Sequence, residues 1–358
     1  MRVAVAYEVG QPLVLEDLPV PAVGPRDVLV RIAASGICHT DLSVINGLSA
    51  LPLPIVPGHE ACGVVEAVGP EVRRVRAGDR VLASVSPACG NCWWCVRGMS
   101  NHCELGAAVR AAPRFELAGG RWAAAVCGCG TFAEAMGVHE ASVVPVETDL
   151  ADEELALLGC GVTTGLGAAL NTAAVIPGSS VAVIGCGGVG QSVIQGARIA
   201  GATVIIAIDP APGRREASVG VGATHAVDPA AGNPVEQVRA LTGGRGADYS
   251  FEVVGRPELM VQAFDMARVE GTVTLVGMPA LGETLTLPAI QAVFSGKRLA
   301  GSVVGGAQIL RDFSRFIRLA EAGQLDLGSM ISQRIKLDEI NDGIGLLTRA
   351  EGVRTVVV

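Results

Sequence analysis

The rhythm of apolar and polar positions changes once along the chain. Over the first ~150 residues, short apolar runs at 28–33, 63–68 and 80–85 are separated by Gly-Pro, Pro-Gly and Gly-Asp steps. That pattern predicts short strands in an irregular, all-β unit. After Cys160 the pattern lengthens. Apolar runs at 181–184, 203–208, 224–227, 248–253, 272–276 and 299–303 read as strands, with helix-like segments such as 191–200 between most of them. Six strands alternating with helices predict a parallel, doubly wound sheet. Two amphipathic helices at 309–322 and 337–350 and a strand at 353–358 complete the reading.

Composition supports a large core. The chain has 358 residues, 50% hydrophobic and 17% charged, which suits two domains and argues against disorder. Aromatic residues make up only 3%, so Ala, Val, Leu and Ile must fill the interior and any pocket is lined by small side chains. A net charge of -8 repels phosphate backbones and disfavours a nucleic-acid partner. Glu8, Gly10 and Pro12 interrupt the first apolar run too early for an export signal, which leads us to expect a cytoplasmic protein. The uncharged stretch 155–197 is broken by Gly, Thr, Asn, Ser and Pro, so we read it as buried backbone and expect no membrane association.

Ten cysteines in such a chain point to metal rather than disulfides. Cys89, Cys92, Cys95 and Cys103 are separated by two, two and seven residues. Four thiolates at that spacing can wrap one tetrahedral zinc with no open position, which makes a structural site. Reduced, unliganded cysteines and an iron–sulfur cluster are the alternatives. Three more segments carry ligand types: Cys38-His39-Thr40-Asp41, His59-Glu60 and Cys160 between two glycines. Together they offer Cys, His and Cys, a catalytic-type set with one position left for water or substrate. Gly185, Gly187, Gly188, Val189 and Gly190 lie in a G-x-G-x-x-G stretch that follows a strand and opens a helix, the context of a dinucleotide-binding turn. Asp209 ends the next strand, nineteen residues past Gly190, where its carboxylate can accept ribose hydroxyls and repel a 2′-phosphate. This favours NAD over NADP, although Arg214 and Arg215 blunt the preference.

On these residues the chain resembles the zinc-containing medium-chain alcohol dehydrogenases, in their liver-type and class III-like branch. The similarity runs from Cys38 to the Arg354-Thr355-Val356 tail. The family is known for a Cys₂His catalytic zinc site. The resemblance implies a Rossmann-type doubly wound domain at 162–303 and an irregular, chaperonin-10-like catalytic domain at 1–161 and 304–358. It implies two zinc ions per subunit, NAD as cofactor, a small alcohol or aldehyde as substrate, and a homodimer with a tetramer as an option. Cys38, His59 and Cys160 match the catalytic zinc ligands, with Glu60 behind the metal and Asp41 orienting the histidine. Thr40 matches the hydroxyl that touches the substrate oxygen. His39 and Arg354 match positions near the cofactor pyrophosphate, Thr164 and Val276 positions at the nicotinamide end, and Arg214 a contact to the adenosine ribose. Val85, Val126, Cys127, Met278 and Val303 match the substrate channel.

Two departures matter. Where well-known members end their proton relay in a histidine, this chain has Ser43, which cannot act as a base near neutrality; water or His39 would have to carry the proton. Small residues at Val85 and Val126 imply a roomy apolar pocket and longer primary, aryl or allyl alcohols. Oxidation of a thiol adduct of formaldehyde is the alternative, although the arginine expected of such enzymes is Ala107 here, with Arg110 nearby. A non-catalytic NAD- and zinc-binding redox sensor is a further reading.

Overall fold

The computed structural model describes every residue except Ala50. In chain order the first elements are β1 (Arg2–Val5), β2 (Val14–Asp17), β3 (Asp27–Gly36), α1 (His39–Ile45), β4 (Ile55–Val56), β5 (Glu60–Val68) and β6 (Arg80–Ala83). Then come α2 (Leu105–Ala111), β7 (Phe115–Glu116), β8 (Trp122–Ala125), β9 (Ala135–His139), β10 (Val143–Pro145), α3 (Asp152–Ala156) and α4 (Gly161–Gly167). The middle of the chain holds β11 (Ser180–Ile184), α5 (Gly188–Ile199), β12 (Val204–Ile208), α6 (Pro212–Gly220), β13 (His225–Val227), α7 (Pro234–Leu241), β14 (Ala247–Glu252), α8 (Pro257–Met266), β15 (Ala267–Leu275), α9 (Ala289–Ser295) and β16 (Arg298–Gly301). The chain ends in α10 (Ile309–Glu321), β17 (Ile331–Ile335), α11 (Ile340–Thr348) and β18 (Arg354–Val357).

These elements form two compact units. Unit 1 comprises Met1–Gly161, Gln308–Gly323 and Leu327–Val358; unit 2 comprises Val162–Ala307 and Gln324–Asp326. Unit 1 is built on a sheet of order β10-β6-β5-β3-β18-β17, with β9 also paired to β3. Val28 and Val30 of β3 point into the core beside Val65, Val81, Met136 and Val138, while Arg31 pairs with Glu66 outside. Unit 1 is not all β, as its N-terminal pattern suggested. α1 and α2 are seven residues each, too short to leave a clear period in the sequence.

Unit 2 holds a six-stranded parallel sheet of order β13-β12-β11-β14-β15-β16. This is the doubly wound sheet expected from the strand–helix alternation. Val181, Val183, Ile205 and Ala207 face one buried cluster, and Ala182, Ile184, Ile206 and Ile208 face another. Burial on both faces explains why these strands read as continuous apolar runs. α5 begins at Gly188, three residues before the apolar period that announced it, because its first turn is glycine. The uncharged stretch 155–197 breaks into short elements, and no single helix among the described residues is long and apolar enough to cross a membrane.

Candidate active site

Unit 1 gathers its ligand-type residues from strand ends and from one segment between helices. Cys38 is the residue before α1, in extended conformation, and Asp41 lies in the helix's first turn. His59 directly precedes β5 and Glu60 begins it. Cys160 is contributed by the segment between α3 and α4. Ligand atoms of Cys38, His59, Glu60 and Cys160 all lie within 4.8 Å of one another.

Asp41 organises this cluster. It is fully buried, and its Oδ2 accepts the Cys38 N–H at 3.1 Å. Its Oδ1 accepts the Gly58 N–H at 2.8 Å and faces His59 Nδ1 at 3.0 Å. A carboxylate at Nδ1 keeps the proton there and leaves Nε2 as a lone-pair donor. His59 Nε2 is buried and has no hydrogen-bond partner among the described residues. An orphaned imidazole nitrogen among two cysteine sulfurs and a carboxylate is what a zinc ion would satisfy. Glu60 is engaged elsewhere: Oε1 accepts the Gly161 N–H at 3.0 Å and Oε2 pairs with the Arg354 guanidinium. Cys38, His59 and Cys160 therefore remain as the three donors not otherwise engaged.

Protonation follows the crowding. The Cys38 thiol is held well below its ordinary range, first by the hydrogen bond from Cys160, and Cys160 is pushed well above it by the Cys38 thiolate. Burial opposes charge on His59, but Asp41 and both sulfurs outweigh it and raise its pKa. Burial lifts the Glu60 carboxyl to about 7 against the pull of Arg354. A cation binding here must displace protons, so affinity rises with pH.

The second cluster lies in the loop between β6 and α2. The sulfurs of Cys89, Cys92, Cys95 and Cys103 lie within 4.8 Å of one another, and none is in a disulfide. Cys89 and Cys95 sulfurs are 3.8 Å apart, and Cys92 and Cys103 sulfurs 3.9 Å. A tetrahedron with metal–sulfur bonds of about 2.3 Å has sulfur–sulfur edges of about 3.8 Å, so the set fits a closed zinc site. Backbone N–H groups of Cys92 and Cys89 donate to the Cys89 and Cys103 sulfurs, each at 3.3 Å, and so support thiolates.

Other unit 1 residues are placed as follows. Thr40 is half-buried on α1, its Oγ1 3.9 Å from the Cys38 sulfur, while His39 is exposed and Ser43 half-buried. Val85 and Val126 are buried. Cys127 has a left-handed backbone (φ 54), and burial, more than the charges of His59, Asp41, Arg110 and Cys38, pushes its thiol pKa up. The bond between Arg354 and Glu60 joins residues 294 apart in the chain. No local motif signals such a pairing.

In unit 2 the glycine-rich turn links β11 to α5. Gly185 has φ 90, and a Cβ on Gly190 would lie 1.8 Å from the Gly185 carbonyl oxygen, so only glycine fits there. Gly187 caps α5, whose first helical residues are Gly188, Val189 and Gly190. Among the described residues, the only side chain within 4 Å of a Cβ placed on Gly187 is Arg214, with Nη1 at 3.8 Å. Helix N–H groups and a guanidinium around an open glycine surface suit a pyrophosphate. Asp209 is buried at the end of β12; it accepts the Cys186 and Ala211 N–H groups, each at 2.8 Å. Arg215 is bound to Asp228 at 2.9 Å and to the Asp209 carbonyl at 2.7 Å, which removes it from contention for a phosphate. Thr164 is half-buried in α4 and Val276 follows β15, while Met278 and Val303 are exposed.

Residues 24–148 match the family described as alcohol dehydrogenase GroES-like domain, and residues 188–322 the family described as zinc-binding dehydrogenase. The NDMA-dependent alcohol dehydrogenase of Amycolatopsis methanolica is 36% identical over 100% of this chain and 98% of its own. This chain belongs to the zinc-containing medium-chain alcohol dehydrogenase family. It is an enzyme, a zinc-dependent oxidoreductase of the alcohol dehydrogenase type. The S-(hydroxymethyl)glutathione dehydrogenase of Synechocystis is also 36% identical, over 99% of both chains. The crystal structure of benzyl alcohol dehydrogenase from Acinetobacter calcoaceticus superposes with a TM-score of 0.92 at 30% identity, covering 99% of this chain and 98% of that one.

Proposed function

We propose that this alcohol dehydrogenase transfers a hydride reversibly between a primary alcohol, medium-chain or aryl/allyl, and NAD. The observation that carries the reading is the clustered trio of buried Cys38, buried His59 and half-buried Cys160, with His59 Nε2 unpartnered among the described residues and its other nitrogen held by Asp41. These three hold the catalytic zinc, with Glu60 in reserve behind it, and Cys89, Cys92, Cys95 and Cys103 hold the structural one. A bound zinc ion supplies a Lewis acid that lowers the pKa of an alcohol, and NAD supplies the hydride acceptor. The chain's own part is positioning and proton transfer. Thr40 Oγ1 takes the alcohol proton. Since Ser43 is no base near neutrality, the proton leaves through water or His39.

Asp209 supports NAD: its carboxylate stands where a 2′-phosphate would need room. The helix α5 N-terminus with Gly185, Gly187, Gly188, Val189 and Gly190 receives the pyrophosphate, and Arg214 the adenosine ribose. Arg354 and His39 act on the phosphate side and Thr164 and Val276 at the nicotinamide. Val85, Val126 and Cys127 leave space beside the metal, and we assign Met278 and Val303 to the same substrate. The benzyl alcohol dehydrogenase likeness agrees with an aryl alcohol. A homodimer through unit 2 is supported by the exposed edge strand β16 and by Ile290, Val293 and Phe294 exposed on α9; a tetramer is the next option. A cytoplasmic location fits an enzyme of this cofactor.

A second reading, oxidation of a thiol adduct of formaldehyde, draws on the Synechocystis relative and on Arg110, whose charge reaches Cys127. One panel separates the two: NADH formation from ethanol through octanol, benzyl and cinnamyl alcohols, and S-(hydroxymethyl)glutathione, repeated with NADP. The proposal requires kcat/KM to rise from ethanol toward the larger alcohols with NAD preferred. A maximum at ethanol, or at the thiol adduct, refutes it.

A further inference from the structure

The order of the unit 2 sheet reverses between β11 and β14, and open parallel sheets take their ligands at the carboxyl ends of strands flanking such a reversal. Ile184 ends β11, Glu252 ends β14, and the two are register partners. Glu252 is fully buried. Its Oε1 accepts the N–H groups of Val254 at 2.9 Å and Gly255 at 2.8 Å, with that of Arg256 at 3.5 Å. Its carbonyl accepts the N–H groups of Val276 at 2.8 Å and Gly277 at 3.0 Å. One residue thus fastens the turns that leave both β14 and β15.

Those turns press on the glycine-rich turn. A Cβ on Gly185 would lie 2.6 Å from the Val254 side chain, and one on Gly277 would lie 2.0 Å from the Gly255 nitrogen. Glu252 Oε2 is buried with no hydrogen-bond partner among the described residues, so the group serves neither an ion pair nor the solvent. Burying a carboxyl in this way is costly. What it achieves is a fixed loop against Gly185.

We infer that Glu252 is a positioning residue for the dinucleotide: its side chain and carbonyl hold the turns at Val254–Gly255 and Val276–Gly277 in the shape that lets the cofactor settle on the Gly185 turn. This rests on the reading of unit 2 as the cofactor domain. Glu252→Asp withdraws the acceptor by about 1.5 Å, beyond reach of the loop N–H groups. Glu252→Gln keeps an acceptor oxygen. Val254→Gly, at a partly exposed position that folding tolerates, loosens the same turn from outside.

The test is NADH affinity, read by fluorescence titration of zinc-loaded protein, with the KM values for NAD and alcohol, zinc content and Tm measured beside it. E252D should raise the NADH Kd at least about tenfold and the KM for NAD with it, leaving zinc content and the KM for alcohol unchanged. E252Q should stay within about threefold of wild type, and V254G should rise by at least about threefold. A merely structural role lowers Tm and leaves the affinity of folded protein alone. Unchanged affinity in E252D overturns the inference; if that variant does not fold, unchanged affinity in V254G does so. Wild-type protein that binds neither NADH nor NADPH overturns the cofactor reading and this inference with it.

Discussion

Replacing Asp41 by Asn keeps the volume and removes one acceptor. Asp41 serves three donors: the Cys38 and Gly58 N–H groups and His59 Nδ1. Asparagine offers one oxygen and one NH₂. If the oxygen faces Gly58 and His59, the NH₂ opposes the Cys38 N–H. If it faces Cys38, the NH₂ opposes Gly58 and pushes the imidazole proton to Nε2, which abolishes its donor pair. Either way one buried N–H loses a charge-assisted bond worth about 1.5–3 kcal/mol. For a chain of 358 residues each kcal/mol is on the order of 1–2 °C in Tm. Groups that orient a metal-binding histidine are worth about 10–100-fold in metal affinity. The expected result is a Tm lowered by several degrees and catalytic-site zinc affinity reduced by roughly that factor, with activity falling at limiting zinc. The assay is competition with a chromophoric chelator, in which the four-cysteine site serves as an internal reference. An Asn variant whose catalytic-site zinc affinity stays within about twofold of wild type would refute the reasoning.

Cys103→Ser should leave the purified protein with one zinc per subunit instead of two and lower Tm markedly, measured by metal analysis and calorimetry. On the proposed assignment of Val85 to the substrate channel, Val85→Phe should cut kcat/KM for benzyl alcohol at least about tenfold relative to ethanol; equal loss for both alcohols would disprove the roomy-pocket reading. Glu140 tests electrostatics away from the site. Burial alone would raise its pKa, but the backbone N–H groups of Arg73 and Arg74 and the Arg26 guanidinium outweigh burial and lower it. A carboxyl with a depressed folded pKa contributes stability that is present above its unfolded pKa of about 4.3 and is lost as pH falls through the folded value. Glu140→Gln should therefore lower stability near neutrality and flatten its acid limb, as read from urea midpoints across pH.

The chemistry was more legible in the sequence than the architecture around it. The spacing of Cys89, Cys92, Cys95 and Cys103 announces a metal loop because all four ligands lie in one short segment. The cofactor turn is equally local, from Gly185 to Gly190. Cys38, His59 and Cys160 are scattered, and resemblance rather than spacing selected them. Long-range partnerships left no trace: Arg354 with Glu60, and Glu252 with the turns after β14 and β15, depend on strands brought together only by the fold. The short helices α1 and α2 escaped for a related reason, while α10 and α11 were read from their amphipathic period. α1 exists to present Cys38 and Asp41, so its sequence follows the site rather than an amphipathic period.

The most direct test of the central claim is NADH formation from benzyl alcohol by protein stripped of zinc at the Cys38–His59–Cys160 site, before and after that zinc is restored. The account predicts loss of activity on stripping, recovery on adding one equivalent of zinc, and no recovery in Cys160→Ser. Full activity in stripped protein, or zinc-dependent recovery in the Cys160→Ser variant, would contradict it.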